Sequence, residues 1–257
     1  MKNDLVSIIT PSYNTGRFIA ETIESVLAQT YKNWEMLIVD DNSTDNTDEV
    51  VKKYLKNERI KYIKNSKNCG AAISRNKALK LAKGKWIAFL DSDDLWESDK
   101  LEKQINFMIR NNYHFSYTAY EEIDECSKPM GVLVKGPKRI TQRIMYNYCY
   151  PGCLTVMYDR QKIGLVQIEN LSKNNDYAMW LKVIKKSDCY FLDECLAKYR
   201  KRKGSISNYR KFKLIKFHYF LYRVGEKRSV MFSILLTIKN IFYGILKKII
   251  YVKKTDV

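Results

Sequence analysis

Three aspartates that follow an apolar run are the residues of this chain best suited to chemistry. Residues 86–90 read as a buried strand, and Asp91, Asp93 and Asp94 come soon after it. Side chains two apart on a strand point the same way, so Asp91 and Asp93 would project from one face at the strand's carboxyl end. Carboxylate oxygens there suit Mg²⁺ or Mn²⁺, which completes its coordination with substrate phosphates. The alternative is an acidic loop in which Asp93 or Asp94 caps the next helix.

Polar residues also follow the first two predicted strands, at the same edge of a parallel sheet. The first strand runs into Pro11, Tyr13 and Asn14, and the second runs into an Asp-rich turn that contains Asp41. An aromatic ring and a carboxylate at this edge could stack on a base and accept its ring N–H, which favours uracil or thymine over cytosine. Taken alone, the Asp-rich turn is equally typical of an Asx turn that caps a helix.

A glycine, Gly70, opens a predicted helix that carries Arg75 one turn later. Helix N-termini attract anions, and Arg75 could reach either a nucleotide or a carboxylate of the metal site. The sequence contains neither the GxGxxG pattern nor the GxxxxGK[ST] pattern. Their absence argues against a dinucleotide fold and against a P-loop phosphate site.

Strands and helices alternate regularly over the first 111 residues. This alternation predicts an α/β fold with a mostly parallel sheet that is covered by helices on both faces. The predicted strands span residues 6–10, 35–39, 60–63 and 86–90. The predicted helices span residues 18–29, 47–55, 71–82 and 98–111. Residues 114–175 are less regular, and they are followed by a predicted helix over 176–186 and short strands over 190–192 and 196–199.

The composition indicates a folded protein of a reducing compartment with an uneven charge distribution. The 257 residues are 46% hydrophobic and carry a net charge of +18. Residues 198–257 hold 17 of the 46 Lys and Arg residues but only 2 of the 28 acidic residues. The six cysteines form no CxxC pair, no secretory signal precedes the first strand, and two histidines are present. We therefore expect a cytoplasmic protein with free thiols and no histidine-based metal site or triad.

The basic C-terminal segment also has a helical apolar pattern. From Tyr209 onward the sequence reads as helix, with one narrow apolar face formed by Ile234, Ile238, Ile241, Ile245, Ile249 and Val252. Lysines interrupt the apolar runs before the ~20 residues that a membrane span needs, which predicts a helix lying on an anionic membrane surface. The alternative is that the apolar face packs on the protein's own body or on a partner subunit. Nucleic acid is a weaker third option, because the segment is rich in aliphatic residues.

Four motifs occur in order along residues 6–94, and together they resemble family 2 glycosyltransferases of the GT-A fold. They are the first strand with its Thr-Pro-Ser-Tyr-Asn end (6–14), Asp-Asp-Asn-Ser (40–43), Asn-Cys-Gly with Ser-Arg-Asn (68–76) and Phe-Leu-Asp-Ser-Asp-Asp (89–94). The resemblance continues weakly through residues 175–180. It implies a GT-A domain over residues 1–207, with a Rossmann-like nucleotide-binding half (1–113) and an acceptor-binding half (114–207). A basic amphipathic helical tail (208–257) would follow.

The resemblance implies roles for individual residues. Tyr13 would stack on the donor base, Asp41 would accept its N3–H, and Asp91 would lie near the ribose. Asp93 would bind Mn²⁺ or Mg²⁺, with Asp91 as a second metal contact, and the metal would neutralise the diphosphate leaving group. Asp176 would be the general base that deprotonates an acceptor hydroxyl, and one displacement would invert the anomeric configuration. The other expected donor contacts are Pro11, Asn14, Arg75 and Ser92, and the expected diphosphate or acceptor contacts are Asp94, Trp180 and Arg202.

Two departures from the family pattern bear on these roles. An acidic residue is common before the general base, and this chain has Asn175 there. If Asp176 is not the base, it would be the N-cap of the helix that follows. The histidine that relatives commonly have near residues 199–207 is absent. Lys201, Arg202 or Lys203 would then hold the diphosphate.

The resulting interpretation is an inverting, metal-dependent glycosyltransferase that uses a nucleotide-sugar, with UDP favoured, and a glycan or lipid-linked acceptor. It would extend a lipid-linked oligosaccharide of a bacterial surface glycan, as a peripheral protein at the inner face of the cell membrane, without a nucleic-acid partner. The alternatives are sugar transfer to polyprenyl phosphate, a sugar nucleotidylyltransferase, and a non-catalytic module that binds nucleic acid or membrane. A nucleotidylyltransferase is disfavoured because no glycine-rich, arginine-bearing loop follows the first strand. The sequence does not indicate the oligomeric state.

Overall fold

The computed structural model describes residues 4–171, 173–202 and 211–255. Lys203, residues 204–207 and the predicted start of the helical tail at Tyr209 lie outside the described residues. The description below concerns the described residues.

Residues up to Asn111 alternate between strand and helix as predicted, except that a short additional strand, Leu95–Trp96, follows the fourth predicted strand. The strands are β1 (Val6–Ser12), β2 (Trp34–Asp40), β3 (Ile60–Lys64), β4 (Trp86–Phe89) and β5 (Leu95–Trp96). The helices are α1 (Ile19–Leu27), α2 (Thr47–Lys52), α3 (Ala71–Leu81) and α4 (Lys100–Asn111). Every residue of β1, β2 and β4 is buried, as expected of strands that are covered on both faces.

Strand β1 lies between β2 and β4, and the three strands are parallel. Val6 lies opposite both Trp34 and Trp86, and Ser12 lies opposite Asp40 at the carboxyl ends of β1 and β2. In this register the residues that follow β1, β2 and β4 meet at one edge of the sheet. Open α/β sheets bind their ligands at this edge.

Residues 114–175 are more regular than their sequence predicts. They contain β6 (Phe115–Ile123), β7 (Pro129–Val134), β8 (Arg139–Ile140), α5 (Gln142–Asn147), a 3₁₀ turn (Cys153–Thr155), β9 (Met157–Asp159) and α6 (Arg160–Ile163). Strand β6 has a weak apolar signal because Ser116 and Thr118 alternate with its aromatic residues, although both are buried. The Ser116 hydroxyl accepts a hydrogen bond from Gln104 at 3.0 Å. Buried polar residues with hydrogen-bond partners conceal a strand from a hydrophobicity pattern.

The two short strands predicted over residues 190–192 and 196–199 form one long strand. This strand, β10 (Cys189–Arg200), follows α7 (Asn175–Val183) and runs parallel to β6. Its register shifts between Leu192 and Ala197. The irregularity accommodates Asp193 and Glu194, whose charges split the apolar pattern in the sequence.

The C-terminal segment is built into the protein body. It forms α8 (Lys211–Phe220), a π-helical segment (Leu221–Gly225), α9 (Val230–Ile250) and β11 (Val252–Lys254). Strand β11 pairs antiparallel with β7, so Val252 belongs to a strand and not to the predicted helical face. Leu221, Tyr222 and Leu236 are buried in the main hydrophobic core.

Helix α9 buries its more polar side and exposes its apolar side. The buried residues are Ser233, Leu236, Thr237 and Asn240. The predicted apolar face, from Ile234 to Ile249, is exposed, which argues against the alternative that this face packs on the protein's own body. With 21 residues and a mean hydropathy of 1.5, α9 is long and apolar enough to cross a membrane by length and composition alone. This finding differs from the expectation that the lysines exclude a span.

Candidate active site

Two of the aspartates after β4 lie partly buried at the carboxyl edge of the sheet, each beside an arginine. Asp91 accepts a hydrogen bond from Arg75 and Asp93 accepts one from Arg202, both at 2.5 Å. Arg75 lies one turn into α3, and Arg202 follows β10, so elements distant in sequence meet here. The predicted contact between Arg75 and a carboxylate of this site is confirmed.

The third aspartate, Asp94, supports the turn from inside. It is 1% exposed and accepts the backbone N–H of Arg200 at 2.9 Å. Its burial and its bond to Arg200 argue against the direct diphosphate or acceptor contact that the sequence predicts. The acidic-cap alternative is wrong, because α4 begins at Lys100 and its N-cap is Asp99.

The carboxylate cluster concentrates negative charge in a partly desolvated place. Burial raises the pKa of Asp93, and the nearby Arg202 charge only partly offsets that effect. Burial, together with the charges of Asp93 and Asp91, raises the pKa of Asp94 well above its ordinary value. Because burial and mutual repulsion disfavour the charged forms of these carboxylates, a cation placed among them would stabilise those forms.

These carboxylates fit a magnesium or manganese ion that takes most of its ligands from a substrate. Mg²⁺ is usually bound through one or two carboxylates together with phosphate oxygens and waters. Within the described ranges, no group of three or more His, Cys, Asp or Glu side chains could hold a metal ion by itself. Asp93 and Asp91 would therefore need a diphosphate as a further ligand.

Arg200 is a supporting residue that the sequence interpretation missed. Its buried side chain donates from Nε to the backbone carbonyl of Asp93 at 2.7 Å and from Nη2 to Glu21 at 2.9 Å. These bonds tie the end of β10 to the aspartate turn and to α1, which sets the point from which Arg202 reaches Asp93. The sequence feature that could have indicated this role is the position of Arg200 at the end of a predicted strand, beside the basic residues 201–203.

The residues after β1 form a fixed loop with one exposed ring. Pro11 is buried within β1, whereas the Tyr13 side chain is 45% exposed. Asn14 has a φ of 50°, accepts the backbone N–H of Thr44 at 2.8 Å and donates its own N–H to the Ser43 hydroxyl at 2.9 Å. The Tyr13 ring is thus open to a ligand, while Pro11 and Asn14 hold the loop in place.

The Asp41 carboxylate organises the loop that opens α3. Its Oδ1 accepts from the Asn65 amide at 3.0 Å and from the Cys69 N–H at 2.8 Å, and its Oδ2 accepts from the Gly70 N–H at 2.7 Å. Asp41 is only 3% exposed, and these three bonds use three of the about four acceptor positions of a carboxylate. Gly70 has a φ of +91°, which residues with a side chain rarely adopt.

The Asx turn that the sequence also predicts here is formed by the preceding residue, Asp40. Its Oδ1 accepts the backbone N–H of Ser43 at 2.9 Å, and its Oδ2 accepts the Tyr62 hydroxyl. Asp40 is buried and its partners are all from the protein's own turn and the adjacent strand. The two neighbouring aspartates therefore differ in role, and Asp41 is the one that faces the α3 loop.

Asp176 lies in the first turn of α7, next to the carboxylate cluster. The N-cap of α7 is Asn174, so the interpretation of Asp176 as the N-cap is wrong. Burial raises the pKa of Asp176, while Arg75 acts in the opposite direction and Asp91 reinforces the rise. This mutual influence places the Asp176 carboxylate in the electrostatic field of the Arg75–Asp91 pair. A desolvated carboxylate is a stronger base than an ordinary aspartate.

Trp180 and Ser92 are buried. The Trp180 ring packs edge to face on Phe89, with ring centroids 5.0 Å apart, and also lies near Phe115. The expectation that Trp180 contacts an acceptor is wrong, because its packing between α7 and the sheet encloses the whole side chain. Ser92 is buried between Asp91 and Asp93 and helps to form the turn.

The sequence matches the family model described as glycosyl transferase family 2 over residues 7–162. TuaG of Bacillus subtilis (strain 168), whose name refers to teichuronic acid biosynthesis, is 44% identical over 229 residues, which cover 88% of this chain and 90% of the relative. WfgD of Escherichia coli, a UDP-Glc:alpha-D-GlcNAc-diphosphoundecaprenol beta-1,3-glucosyltransferase, is 44% identical over 221 residues, which cover 84% of each protein.

Solved structures share the fold at lower sequence identity. S. aureus TarS 1–349 in complex with UDP-GlcNAc has a TM-score of 0.70 at 23% identity, over 90% of this chain and 70% of that chain. The mannosyltransferase PcManGT from Pyrobaculum calidifontis, in complex with GDP-Man and Mn²⁺, has a TM-score of 0.63 at 15% identity, over 94% of this chain and 75% of that chain. The predicted α/β fold of GT-A type is thereby confirmed. Because the family match covers more than half of the chain and two relatives align over most of their length, this protein is a glycosyltransferase that belongs to glycosyl transferase family 2.

Proposed function

We propose that this enzyme moves a hexose from a UDP-sugar to a hydroxyl of a lipid-diphosphate-linked glycan, with Mn²⁺ or Mg²⁺ and with inversion at the anomeric carbon. The observation that carries the proposal is the arrangement of Asp91 and Asp93 at the sheet edge, each beside an arginine, with Asp176 in their electrostatic field. Carboxylates for a metal, cations for a diphosphate and a desolvated base are the groups that such a transfer needs.

The donor base would bind between the ends of β1 and β2. The exposed Tyr13 ring offers a stacking surface, and the remaining acceptor position of Asp41 suits the N3–H of uracil. Cytosine has no proton at N3 and would place two acceptors against each other. Pro11 and Asn14 would position Tyr13, and Ser92 would support the turn beneath the ribose.

The donor diphosphate would lie among the aspartates and their arginines. Asp93, assisted by Asp91, would hold the metal, which when bound offsets the charge of the diphosphate leaving group. Arg202 lies 2.5 Å from Asp93 and would therefore reach the same diphosphate. This gives Arg202 the anion-binding role for which relatives commonly have a histidine.

Asp176 would act as the general base. Its desolvated carboxylate takes the proton from the acceptor hydroxyl while that oxygen attacks the anomeric carbon. The bond between the anomeric carbon and the diphosphate oxygen breaks in the same displacement, and UDP leaves with the electron pair. A single in-line displacement inverts the configuration, so an α-linked donor gives a β-glycoside.

The relatives support the choice of donor and acceptor. The name of WfgD specifies UDP-Glc, an acceptor that carries GlcNAc on diphosphoundecaprenol, and a β-1,3 linkage. We infer the same classes of donor and acceptor here, since the 44% identity extends over 84% of both proteins. An acceptor of this kind requires an enzyme at the bilayer surface.

The location that suits this acceptor is the cytoplasmic face of the membrane, with α9 lying in the interface. The exposed apolar side chains of α9 suit lipid, and Lys239 and Lys248 on the same helix suit anionic headgroups. The protein body holds both ends of α9, because Tyr222 before it is buried and β11 after it pairs with β7. A helix fixed at both ends to one body would lie along the membrane and not across it.

The test is slow hydrolysis of nucleotide-sugars by the full-length protein with Mn²⁺. We expect release of nucleoside diphosphate from a UDP-hexose but not from a CDP-hexose, whose cytosine has no proton at N3, and loss of release on chelation. Asp93→Ala should abolish release, whereas Asp193→Ala, at an exposed aspartate of β10, should not. Asp176→Asn should bind UDP as the native enzyme does but lose transfer to an acceptor by about 10²- to 10⁴-fold.

Three results would contradict the proposal. Release that is unchanged in Asp93→Ala would remove the metal site from the reaction. Full transfer by Asp176→Asn would remove the general base. An anomeric NMR signal of an α-linked product from an α-linked donor would overturn inversion.

A further inference from the structure

A groove of about 560 Å³ lies beside the N-terminal end of α7, and none of its lining residues has a role in the site described above. One wall belongs to the segment that leads into α7, and the other belongs to α8 and the π-helical segment. The lining residues are Asn170, Leu171, Lys173, Lys216, Phe217, Phe220, Leu221 and Val224.

Both walls of the groove are tied to the turn that carries the proposed base. The Asn175 side chain donates to the backbone carbonyl of Leu171 at 3.3 Å. The Asn174 side chain contacts the His218 ring of α8 at 3.3 Å. Asp176 is the next residue along α7, so a molecule in the groove would have one end near the base.

The chemistry of the lining fits a molecule with an anionic head and an apolar chain. Two lysines line the groove, and no acidic residue is among the described residues that line it. The Lys216 ammonium group lies 5.7 Å from the Phe220 ring centroid, so charge and apolar surface are adjacent. Phe220 and Val224 are exposed and offer uncovered apolar surface. Burial lowers the pKa of Lys173, and an anion beside it would favour the charged form.

We infer that this groove binds the polyprenyl diphosphate portion of the acceptor, with the diphosphate beside Lys173 and Lys216 and the first isoprene units against Phe220 and Val224. The inference rests on the proposed function, because it is the proposed acceptor that carries a diphosphate and an apolar chain. Two lysines match the charge of a diphosphate better than that of a phospholipid phosphodiester, which has a single negative charge. From Val224 the chain would continue onto the exposed apolar face of α9 and into the bilayer.

The experiment measures binding of farnesyl diphosphate, a soluble polyprenyl diphosphate, to the full-length protein by calorimetry. The double variant Lys173→Glu/Lys216→Glu should bind it at least about tenfold more weakly than the native protein. The double variant Lys253→Glu/Lys254→Glu on β11 makes the same change in net charge at exposed positions and should bind it as the native protein does. Val224→Asp is a second groove variant, at an exposed site, and should also weaken binding.

A separate readout distinguishes this inference from the proposed function. Hydrolysis of the UDP-sugar should be unchanged in the groove variants, while the KM for a lipid-linked acceptor should rise. Native protein that hydrolyses a UDP-sugar but binds no farnesyl diphosphate would overturn the groove assignment and leave the proposed reaction standing. If farnesyl diphosphate binding depends on the groove lysines but no UDP-sugar is hydrolysed, the groove assignment is supported and the proposed UDP-sugar donor is contradicted.

The remaining outcomes address the rival occupants. Equal loss of binding in the groove and β11 variants would overturn the assignment, since attraction would then depend on net charge alone. Displacement of farnesyl diphosphate by phosphatidylglycerol vesicles at equal phosphate concentration would also overturn it, in favour of an ordinary membrane lipid. Binding that persists against a tenfold excess of such vesicles would support it.

Discussion

The ion pair between Arg202 and Asp93 bears on metal binding and on nucleotide binding in opposite ways. With 2.5 Å between them, the guanidinium neutralises the carboxylate that a metal would use. The same guanidinium would also attract a donor diphosphate. Arg202 thus competes with the metal while it assists the nucleotide, and removing it should separate the two effects.

We predict that Arg202→Ala changes the two affinities in opposite directions. Without nucleotide, Mn²⁺ should bind about three- to tenfold more tightly, because Asp93 loses its competing cation. With Mn²⁺ present, UDP should bind more weakly by a similar factor, because its diphosphate loses a contact. Electron paramagnetic resonance of free Mn²⁺ and calorimetry with UDP measure the two constants.

Lys201→Ala is the matched control, because this neighbouring cation pairs with Glu122 at 3.1 Å and not with an aspartate of the site. Both affinities should stay near those of the native protein. If Arg202→Ala weakens Mn²⁺ and UDP alike, Arg202 supports the site structurally and does not exchange between carboxylate and diphosphate.

The pH dependence of turnover should report the environment of Asp176. As a base, Asp176 works in its deprotonated form, so its raised pKa moves the loss of activity on acidification to a higher pH than for an ordinary aspartate. Arg75 lowers this pKa and Asp91 raises it. Arg75→Gln should therefore shift the acidic limb of kcat to still higher pH, because it removes the cation and leaves the Asp91 charge unpaired.

Two variants control this experiment. Arg75→Lys retains the positive charge and should keep the acidic limb near that of the native enzyme. Lys80→Gln removes a cation from an exposed position of the same helix and should leave the limb in place. An acidic limb that does not move in Arg75→Gln would show that Asp176 does not limit turnover at low pH.

For single residues, the strand and helix patterns of the sequence predict which side chains lie close together, but they do not predict which side chains are buried. The aspartates after β4 and their contact with Arg75 follow from strand geometry and helix position. The Asn65 and backbone donors that hold Asp41 come from a loop without a pattern of its own. The family resemblance implies an acceptor contact for Trp180, whereas the burial of its ring depends on packing against Phe89 of the sheet.

The docking of helix α9 depends on a small buried polar network. The Asn240 amide lies 3.4 Å from the Tyr177 hydroxyl and 3.3 Å from the Tyr222 hydroxyl, and the two hydroxyls are 2.9 Å apart. These residues belong to α9, α7 and the π-helical segment, respectively. The network therefore couples the helix with the exposed apolar face to the helix with the proposed base.

We predict that Asn240→Ala loosens α9 at a modest cost. Both tyrosine hydroxyls keep backbone carbonyl partners, at Met145 and Tyr146, so the free energy of unfolding should fall by only about 1 kcal/mol. Hydrogen exchange should accelerate in α9 and β11 and stay unchanged in β1 and β2. Lys239→Ala, at the preceding exposed position, should leave both quantities unchanged. Uniformly faster exchange in all strands would contradict a local role for the network.

Helices and strands could be predicted from the sequence where their buried residues are apolar, and not where buried residues are polar. The parallel strands were evident because apolar residues fill them, whereas β6 and β10 contain buried hydroxyls or a charged bulge. Helix α9 reverses the usual relation, since Ser233, Thr237 and Asn240 face the protein while the isoleucines face outward. A hydrophobicity pattern located the apolar face, but it could not indicate which side the protein body would cover.

At the scale of the molecule, the basic charge and the exposed apolar surface occur in the same segment. The last 60 residues carry most of the net charge of +18, and α9 exposes its predicted apolar face. Deleting this segment would not test membrane binding cleanly, because β11 pairs with β7 and Leu236 lies in the core. Substitutions on the exposed face leave those contacts in place.

We predict that the native protein floats with phosphatidylglycerol vesicles and that Ile238→Glu/Phe242→Glu does not. Both side chains are more than half exposed on the protein and would be buried in lipid, so replacing them should weaken partitioning by about 100-fold or more. Leu81→Glu/Ile109→Glu makes the same change in charge at exposed sites of α3 and α4 and should float normally.

Alkaline carbonate should release the native protein, because a helix whose following strand pairs with the protein's own sheet does not cross the bilayer. Retention after carbonate would instead mean that α9 spans the membrane, which requires β11 to leave β7.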